Sequence, residues 1–91
     1  MVTAIILIHT ERDRITGVAE ELADDAAISE VYSVSGPYDL VAIVRVESND
    51  RLAELVTGRM AAIRGITSTE TMLAFRAFSR HDLESMFTIG Q

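Results

Sequence analysis

Two segments of the chain are apolar on both faces of the strand that each is expected to form. Met1–Ile8 reads MVTAIILI and Tyr38–Val46 reads YDLVAIVRV, and β-branched and aliphatic residues dominate both. A strand in a sheet with one wet face alternates apolar and polar residues, whereas a strand buried on both sides shows a nearly continuous apolar run. Both segments are of the second kind, so both faces of their sheet need a cover.

Between these two segments the pattern changes to a helix and then to another strand. Apolar residues recur at helical spacing from about Asp13 to Asp24, and Thr10 is the expected N-cap of this helix. The second strand is expected over Ile28–Ser35, where Gly36-Pro37 breaks it. The chain therefore turns back at this dipeptide into the second apolar segment.

A second helix and a fourth strand follow. Ser48-Asn49 is a capping signal, and Leu52, Leu55 and Val56 lie on one side of the helix that it begins. Gly65 fits the C′ position that ends this helix, and Ile66–Ser79 reads as a long strand rich in threonine.

The resulting order, βαββαβ, predicts a ferredoxin-like α+β fold. In that fold a four-stranded antiparallel sheet carries both helices on one face. With 91 residues the chain is one domain, expected over residues 1–79. Residues 80–91 are expected to form a tail with a short helix over residues 81–86, packed on the domain or on a neighbouring subunit.

Two helices cover only one face of such a sheet, yet the apolar strands present two apolar faces. Ile5 and Leu7 point away from Ala4, Ile6 and Ile8 on the first strand. Burial of an apolar face gains about 25 cal/mol per Å² before the costs of association. A second copy of the chain is the natural cover, so we expect a homodimer packed sheet to sheet.

Composition narrows the classes of function. The net charge is −6, which disfavours direct binding of nucleic acid, and the absence of cysteine excludes disulfides and thiolate metal sites. The apolar runs are too short to span a membrane, and no positively charged leader precedes them. We expect a cytoplasmic protein without a cofactor or metal. The acidic run from Glu20 to Asp25 is expected to be solvated, with Arg59 and Arg64 available to it across a subunit contact.

Few residues suggest chemistry. His9 and His81 lie near opposite ends of the chain and are expected to be ordinary surface or capping residues. The turn Gly36-Pro37-Tyr38-Asp39 is open to two interpretations: a plain hairpin in which Asp39 bonds nearby backbone N–H groups, or a loop that holds a ligand.

The Gly36-x-Tyr38-Asp39 element resembles the signature of the effector-binding domain of the Lrp/AsnC family of transcription regulators, also called the RAM domain. The βαββαβ order and the threonine-rich start of the fourth strand, Ile66 to Thr71, strengthen the resemblance. It covers essentially the whole chain.

The resemblance implies dimers with facing sheets, a dimeric α/β barrel, that assemble into rings such as octamers. It also implies that amino acids bind between subunits. Carried over by position, the ligand-binding residues are Ser35, Gly36, Pro37, Tyr38, Asp39, Thr69 and Thr71. Because family members carry a helix-turn-helix domain that this sequence leaves no room for, a stand-alone RAM domain is expected. It would have full-length regulators as further partners and would not contact DNA directly.

Three functions follow as hypotheses. The first is a non-enzymatic amino-acid sensor and assembly module that modulates transcription or amino-acid metabolism through partners. The second is an oligomerisation module with no ligand. The third is a small dimeric α/β-barrel enzyme, similar to monooxygenases or isomerases, in which His9, Tyr38 and Asp39 are the acid–base candidates.

Overall fold

The computed structural model describes residues 1–78, which form four strands and two helices. Their bounds are β1 Val2–Thr10, α1 Ile15–Ala23, β2 Ile28–Ser33, β3 Leu40–Val46, α2 Asn49–Glu54, a π-helical segment Leu55–Arg59, and β4 Ile66–Leu73. The tail expected over residues 80–91, including His81 and its short helix, lies outside the described residues.

The four strands form one antiparallel sheet in the order β2-β3-β1-β4. The two apolar strands, β1 and β3, are the central pair, and Ile5 pairs with Ile43 at the middle of their ladder. The predicted ferredoxin-like βαββαβ topology is confirmed. This central position places the apolar side chains of the two strands in the middle of both faces of the sheet.

One face of the sheet forms the core with the helices. Ala4, Ile6 and Ile8 of β1 have no exposed area, and Val18 and Leu22 of α1 are buried with them. The other face lies uncovered: Ile5, Leu7, Val41 and Ile43 are only partly buried, and Met72 of β4 is 44% exposed. We call this second surface, with the aligned residues of β2 and β4, the open sheet face. The predicted division of side chains on β1 and β3 is thus confirmed.

The first helix begins later than expected. Its N-cap is Arg14, without a side-chain cap bond, and Thr10 belongs to β1. The prediction of Thr10 as N-cap was wrong because β1 runs two residues further than the apolar pattern. Thr10, the last residue of β1, pairs with Ile66 of β4 beyond the register shift that follows His9.

The second helix begins as expected and ends early. The hydroxyl of Ser48 accepts the Arg51 N–H at 3.3 Å, as predicted. The helix then widens into the π-helical segment, in which the Met60 N–H bonds the Leu55 carbonyl at 2.8 Å. The prediction that Gly65 is its C′ residue was wrong.

Gly65 instead lies in the turn before β4. Its φ of +106° is the conformation that glycine tolerates, and a Cβ there would lie 2.7 Å from the Arg14 Cβ. Its carbonyl accepts the Glu11 N–H at 2.8 Å. Gly65 therefore joins the start of β4 to the loop before α1.

Strands β2 and β4 are shorter than expected, ending at Ser33 and Leu73 rather than at Ser35 and Ser79. The last bond at the end of β4 is from the Ala74 N–H to the Thr3 carbonyl, at 2.9 Å. Beyond it β1 has almost no residues left to pair with, so β4 cannot continue although its composition favours a strand.

One ion pair joins the ends of the helical layer. Arg59 donates to both carboxylate oxygens of Asp25, at 2.5 and 3.2 Å. The expected meeting of Arg59 with the acidic run thus occurs within one chain. The Arg59 guanidinium holds the pKa of the Asp25 carboxyl below its usual value.

Candidate functional site

The loop between β2 and β3 holds the residues that the sequence singled out. Gly36 adopts a φ of +104°, and no atom lies within 4 Å of a Cβ added there, so its backbone conformation rather than crowding calls for glycine. Ser35, Gly36 and Pro37 are exposed, whereas Tyr38 and Asp39 are partly buried. The tip of the loop therefore faces solvent while its last two residues pack on the domain.

Backbone bonds close this loop and attach it to β1. The Val34 N–H donates to the Asp39 carbonyl at 3.1 Å across the loop. The Asp39 N–H donates to the Ile8 carbonyl at 3.0 Å. The main chain of Asp39 is thus bonded to β1 and to the residue that follows β2.

The Asp39 side chain makes a further contact. Its Oδ2 accepts the Thr10 N–H at 2.8 Å, at the point where the ladder between β1 and β4 shifts register after His9. A carboxylate that accepts a backbone N–H makes a charge-assisted hydrogen bond. Its second oxygen, Oδ1, receives no hydrogen bond from residues 1–78.

Tyr38 reaches in the other direction, across β1 to β4. Its ring packs on the His9 ring with centroids 4.6 Å apart and an interplanar angle of 33°. Its hydroxyl donates to a carboxylate oxygen of Glu70 on β4. The hydrogen bond raises the pKa of Tyr38, because ionisation would remove the donor and place a phenolate beside the carboxylate.

Glu70 is the site residue that sequence reasoning missed. It is the one acidic side chain in the threonine-rich strand β4, and it pairs with Leu7, whose side chain lies on the open sheet face. Only the register of β4 against β1 shows that Glu70 and Tyr38 meet. Once that register is known, the alternation of side chains along a strand places Glu70 on the same face as its partner Leu7.

The two predicted threonines lie on the opposite face of the sheet. Thr69 pairs with Ile8 and Thr71 with Ile6, whose side chains lie in the helix-covered core. Thr69 lines a hollow of about 150 Å³ beside Met60 and Val56 at the β4 edge. Within one chain the structure brings Tyr38, Asp39, His9 and Glu70 together, but it does not bring the threonines to the loop.

The described part of the chain offers little for metal chemistry or membrane insertion. Within residues 1–78 no three His, Cys, Asp or Glu side chains are grouped as metal ligands would be. No helix in that range combines the length and the apolar character needed to cross a bilayer.

The curated relatives that match this chain are transcriptional regulators. An uncharacterised helix-turn-helix-type transcriptional regulator of Pyrococcus horikoshii is 36% identical over 76 residues, which are 80% of this chain and 51% of the relative. The chain spans about half the length of the curated relatives it matches.

Solved structures share the fold. A Thermus thermophilus protein is 44% identical with a TM-score of 0.83, and the match covers 88% of this chain and 100% of that one. A transcriptional regulator of Neisseria meningitidis, crystallised as its L-methionine complex, shares the fold at 10% identity with a TM-score of 0.80, over 87% of this chain and 53% of that one.

The family model of the Lrp/AsnC ligand-binding domain matches residues 3–83. That match takes in all four strands, the loop after β2 and Glu70. The matched family model describes a ligand-binding domain, and the curated relatives that match this chain are helix-turn-helix-type transcriptional regulators. The chain belongs to the Lrp/AsnC family, as a ligand-binding domain of that family.

Proposed function

We propose that the chain is a non-enzymatic sensor that binds a free amino acid beside the loop of residues 36–39 and changes the assembly of regulators in response. One observation carries the proposal. In a ligand-binding domain of this family, Asp39 is held by three hydrogen bonds while its Oδ1 receives none from residues 1–78. A carboxylate oxygen fixed in this way is a suitable partner for an ammonium group.

The chemistry of the loop suits an α-amino acid. The ligand ammonium would bind Asp39 Oδ1, and the ligand carboxylate would accept N–H donors from the exposed backbone near Gly36. Pro37 has no N–H and therefore contributes no donor. The Neisseria meningitidis regulator of the same fold, a complex with L-methionine, supports an amino acid as the ligand class.

A second copy of the chain is part of the proposal. Thr69 and Thr71 lie on the helix-covered side of β4, away from the loop of their own chain. A site that uses both the loop and the threonines therefore needs residues from another subunit. The apolar open sheet face favours a homodimer packed sheet to sheet, and further assembly into a ring would bring the loop of one dimer to β4 of the next.

The proposed setting is the cytoplasm, with full-length regulators of the family as partners in mixed assemblies. The net charge of −6 supports action through protein partners rather than through direct contact with DNA.

Titration calorimetry of the 91-residue chain with each of the twenty amino acids tests the proposal. Asp39→Asn is the informative variant, because its amide oxygen still accepts the Thr10 N–H while the negative charge is lost. We expect binding of at least one amino acid and a loss of affinity of about tenfold or more in Asp39→Asn.

Asp13→Asn is the matched control, because Asp13 is an exposed aspartate outside the loop and its loss should leave the affinity unchanged. If no amino acid binds, or if Asp39→Asn binds as tightly as the wild type, the sensor function is wrong.

The bond from Thr10 to Asp39 favours a second candidate, an oligomerisation module with no ligand, because it gives Asp39 a structural role of its own. Ring assembly with no amino acid bound at any concentration would support this candidate. An enzyme has less support. A hollow of about 390 Å³ lies between α1 and the sheet, lined among others by Ala19 and Leu40, but none of the three acid–base candidates lines it.

A further inference from the structure

Glu70 has no role in the proposed function, yet its carboxylate holds the side chain of Tyr38, a residue of the loop. It lies on β4 opposite Leu7, on the open sheet face, and accepts the hydroxyl of Tyr38 from 32 residues away in the sequence. Hydrogen bonds to an ionised acceptor are shorter and stronger than those between neutral groups. The contact therefore ties the start of β3 to the far side of β1.

Tyr38 is held at both ends of its side chain. The ring lies 4.6 Å from the His9 ring, and the hydroxyl is bound by Glu70, so rotation of the side chain breaks one contact or the other. Gly36, two residues before it, has open space around its Cα. The order of the loop therefore comes from its last residues rather than from its tip.

Asp39 is the next residue in the chain, so the contacts that hold Tyr38 also restrain Asp39. Its N–H is bound to the Ile8 carbonyl and its carboxylate to the Thr10 N–H. Because the peptide group between Tyr38 and Asp39 is a rigid plane, a backbone movement of Tyr38 also displaces the Asp39 N–H that bonds Ile8. Residues two positions apart on β1, Ile8 and Thr10, and Glu70 on β4 thus fix the loop together.

We propose that Glu70 is a positioning residue for the loop: by holding the hydroxyl of Tyr38, it sets the orientation of the Asp39 carboxylate. The part of this proposal that concerns a ligand rests on the proposed amino-acid site. The arrangement also gives Tyr38 a role other than contact with a ligand side chain, because its ring faces His9 and its hydroxyl is already bound.

Hydrogen exchange of backbone amides tests the positioning directly, with or without a ligand. The reporters are the N–H groups of Val34, Asp39 and Thr10, whose hydrogen bonds close the loop. In Glu70→Ala we expect their exchange to rise by roughly three- to tenfold relative to the wild type, as for the loss of one such hydrogen bond.

Two further variants show whether the hydrogen bond itself is responsible. Tyr38→Phe keeps the ring on His9 and removes the donor, so it should match Glu70→Ala. Glu70→Gln keeps an oxygen acceptor, so it should restore exchange close to the wild-type rate.

The chain supplies a matched control. Tyr32 donates to Glu30 in a second exposed tyrosine–carboxylate pair, on β2 and outside the loop. Glu30→Ala removes a comparable contact and should leave the three reporter amides unchanged. Equal exchange in Glu70→Ala and the wild type, or equal effects of Glu70→Ala and Glu30→Ala, would overturn the proposal.

Calorimetry then separates this proposal from the proposed function. Where the wild type binds an amino acid, Glu70→Ala should weaken binding by a factor similar to its effect on exchange, and Glu70→Gln should restore it. Faster exchange with unchanged affinity would overturn the link to the ligand. If the wild type binds no amino acid, the sensor function fails, and the exchange rates still decide whether Glu70 positions the loop.

Discussion

At the scale of single residues, Asp39 forms a hydrogen bond to β1 at the point where the pairing of β1 with β4 is irregular. The register between β1 and β4 shifts at Thr10, and Asp39 takes up the Thr10 N–H at 2.8 Å. A backbone donor left without a partner costs free energy comparable to a lost hydrogen bond. The Asp39 carboxylate thus bonds a backbone N–H, as the hairpin interpretation expects, but that N–H belongs to β1 and not to the turn. The proposed ligand role uses the carboxylate oxygen that this bond leaves available.

Stability in acid should depend on Asp25. Arg59 lowers the folded-state pKa of this carboxyl below its ordinary value of 3.8, so the ion pair contributes stability above pH 3.8. That contribution is lost as the pH falls through the lower folded-state value. We expect Arg59→Gln to be modestly less stable than the wild type at neutral pH, and the two to converge as the pH falls below the lowered folded-state pKa of Asp25.

Urea unfolding of both proteins at a series of pH values measures this difference. Arg64→Gln serves as the control, because the Arg64 side chain has no hydrogen bond or ion pair within residues 1–78. A difference between wild type and Arg59→Gln that stays constant down to the lowest pH would contradict the assignment.

Ionisation of the two tyrosines should require an unusually high pH. Tyr38 and Tyr32 each donate to a carboxylate, and this hydrogen bond raises both pKa values above 10.0. The protonated phenols therefore stabilise the fold below pH 10.0, and that contribution is lost as the pH rises through the folded-state values. In Glu70→Ala, which removes the acceptor, one of the two tyrosinate absorbance steps should move back toward 10.0, and in Glu30→Ala the other.

These absorbance titrations need no further label, because the chain contains two tyrosines and no tryptophan. Two superimposable curves for wild type and Glu70→Ala would show that the bond between Tyr38 and Glu70 does not form in solution.

At the scale of secondary-structure elements, Gly36 and Gly58 differ in backbone conformation. Gly58 lies in the π-helical segment with φ below zero and no atom within 4 Å of an added Cβ, so Gly58→Ala should raise the free energy of unfolding by up to about 1 kcal/mol. Gly36→Ala also meets open space, but its φ of +104° is strained for alanine, and it should cost about 1–2 kcal/mol.

Chemical denaturation of the two single variants measures the sign of each change in the free energy of unfolding. Each adds the same methyl group at a site with no neighbours, so the pair isolates the effect of the backbone. Changes of the same sign in Gly36→Ala and Gly58→Ala would contradict this account.

At the scale of the whole molecule, the open sheet face is the side of the sheet that the two helices leave uncovered. Ile5, Leu7, Val41 and Ile43 form an apolar strip across the two central strands and are only partly buried. Monomeric proteins rarely leave such a contiguous apolar surface in water. The proposed homodimer covers it with the equivalent strip of a second copy.

Sedimentation equilibrium at micromolar concentration measures this association. The wild type should have at least twice the chain mass of 10.0 kDa. Ile43→Arg should dissociate it, because an unpaired charge buried in an interface costs about 3–5 kcal/mol. Ala53→Arg, which adds the same charge to the exposed surface of α2, should leave the mass unchanged. A wild type that sediments at 10.0 kDa would exclude the dimer.

Much of the fold could be predicted from local pattern. The apolar runs of β1 and β3 indicated central strands, the spacing of Val18 and Leu22 indicated a helix packed on the sheet, and Ser48 indicated where α2 begins. Each of these signals lies within a few residues of the chain, since periodicity and capping are local properties. The boundaries at Thr10, Gly65 and Leu73 were missed because strand pairing, not composition, sets them.

The sequence by itself therefore determined the fold class, the two apolar sheet faces and the loop that carries Asp39. Only the tertiary structure decided that Tyr38 meets His9 and Glu70, and that Asp39 bonds Thr10 across 29 residues. It also decided that Thr69 and Thr71 face away from that loop. The physical reason is register: a shift of one residue between β1 and β4 would move Glu70 to the other face of the sheet, and no local pattern reports that alignment.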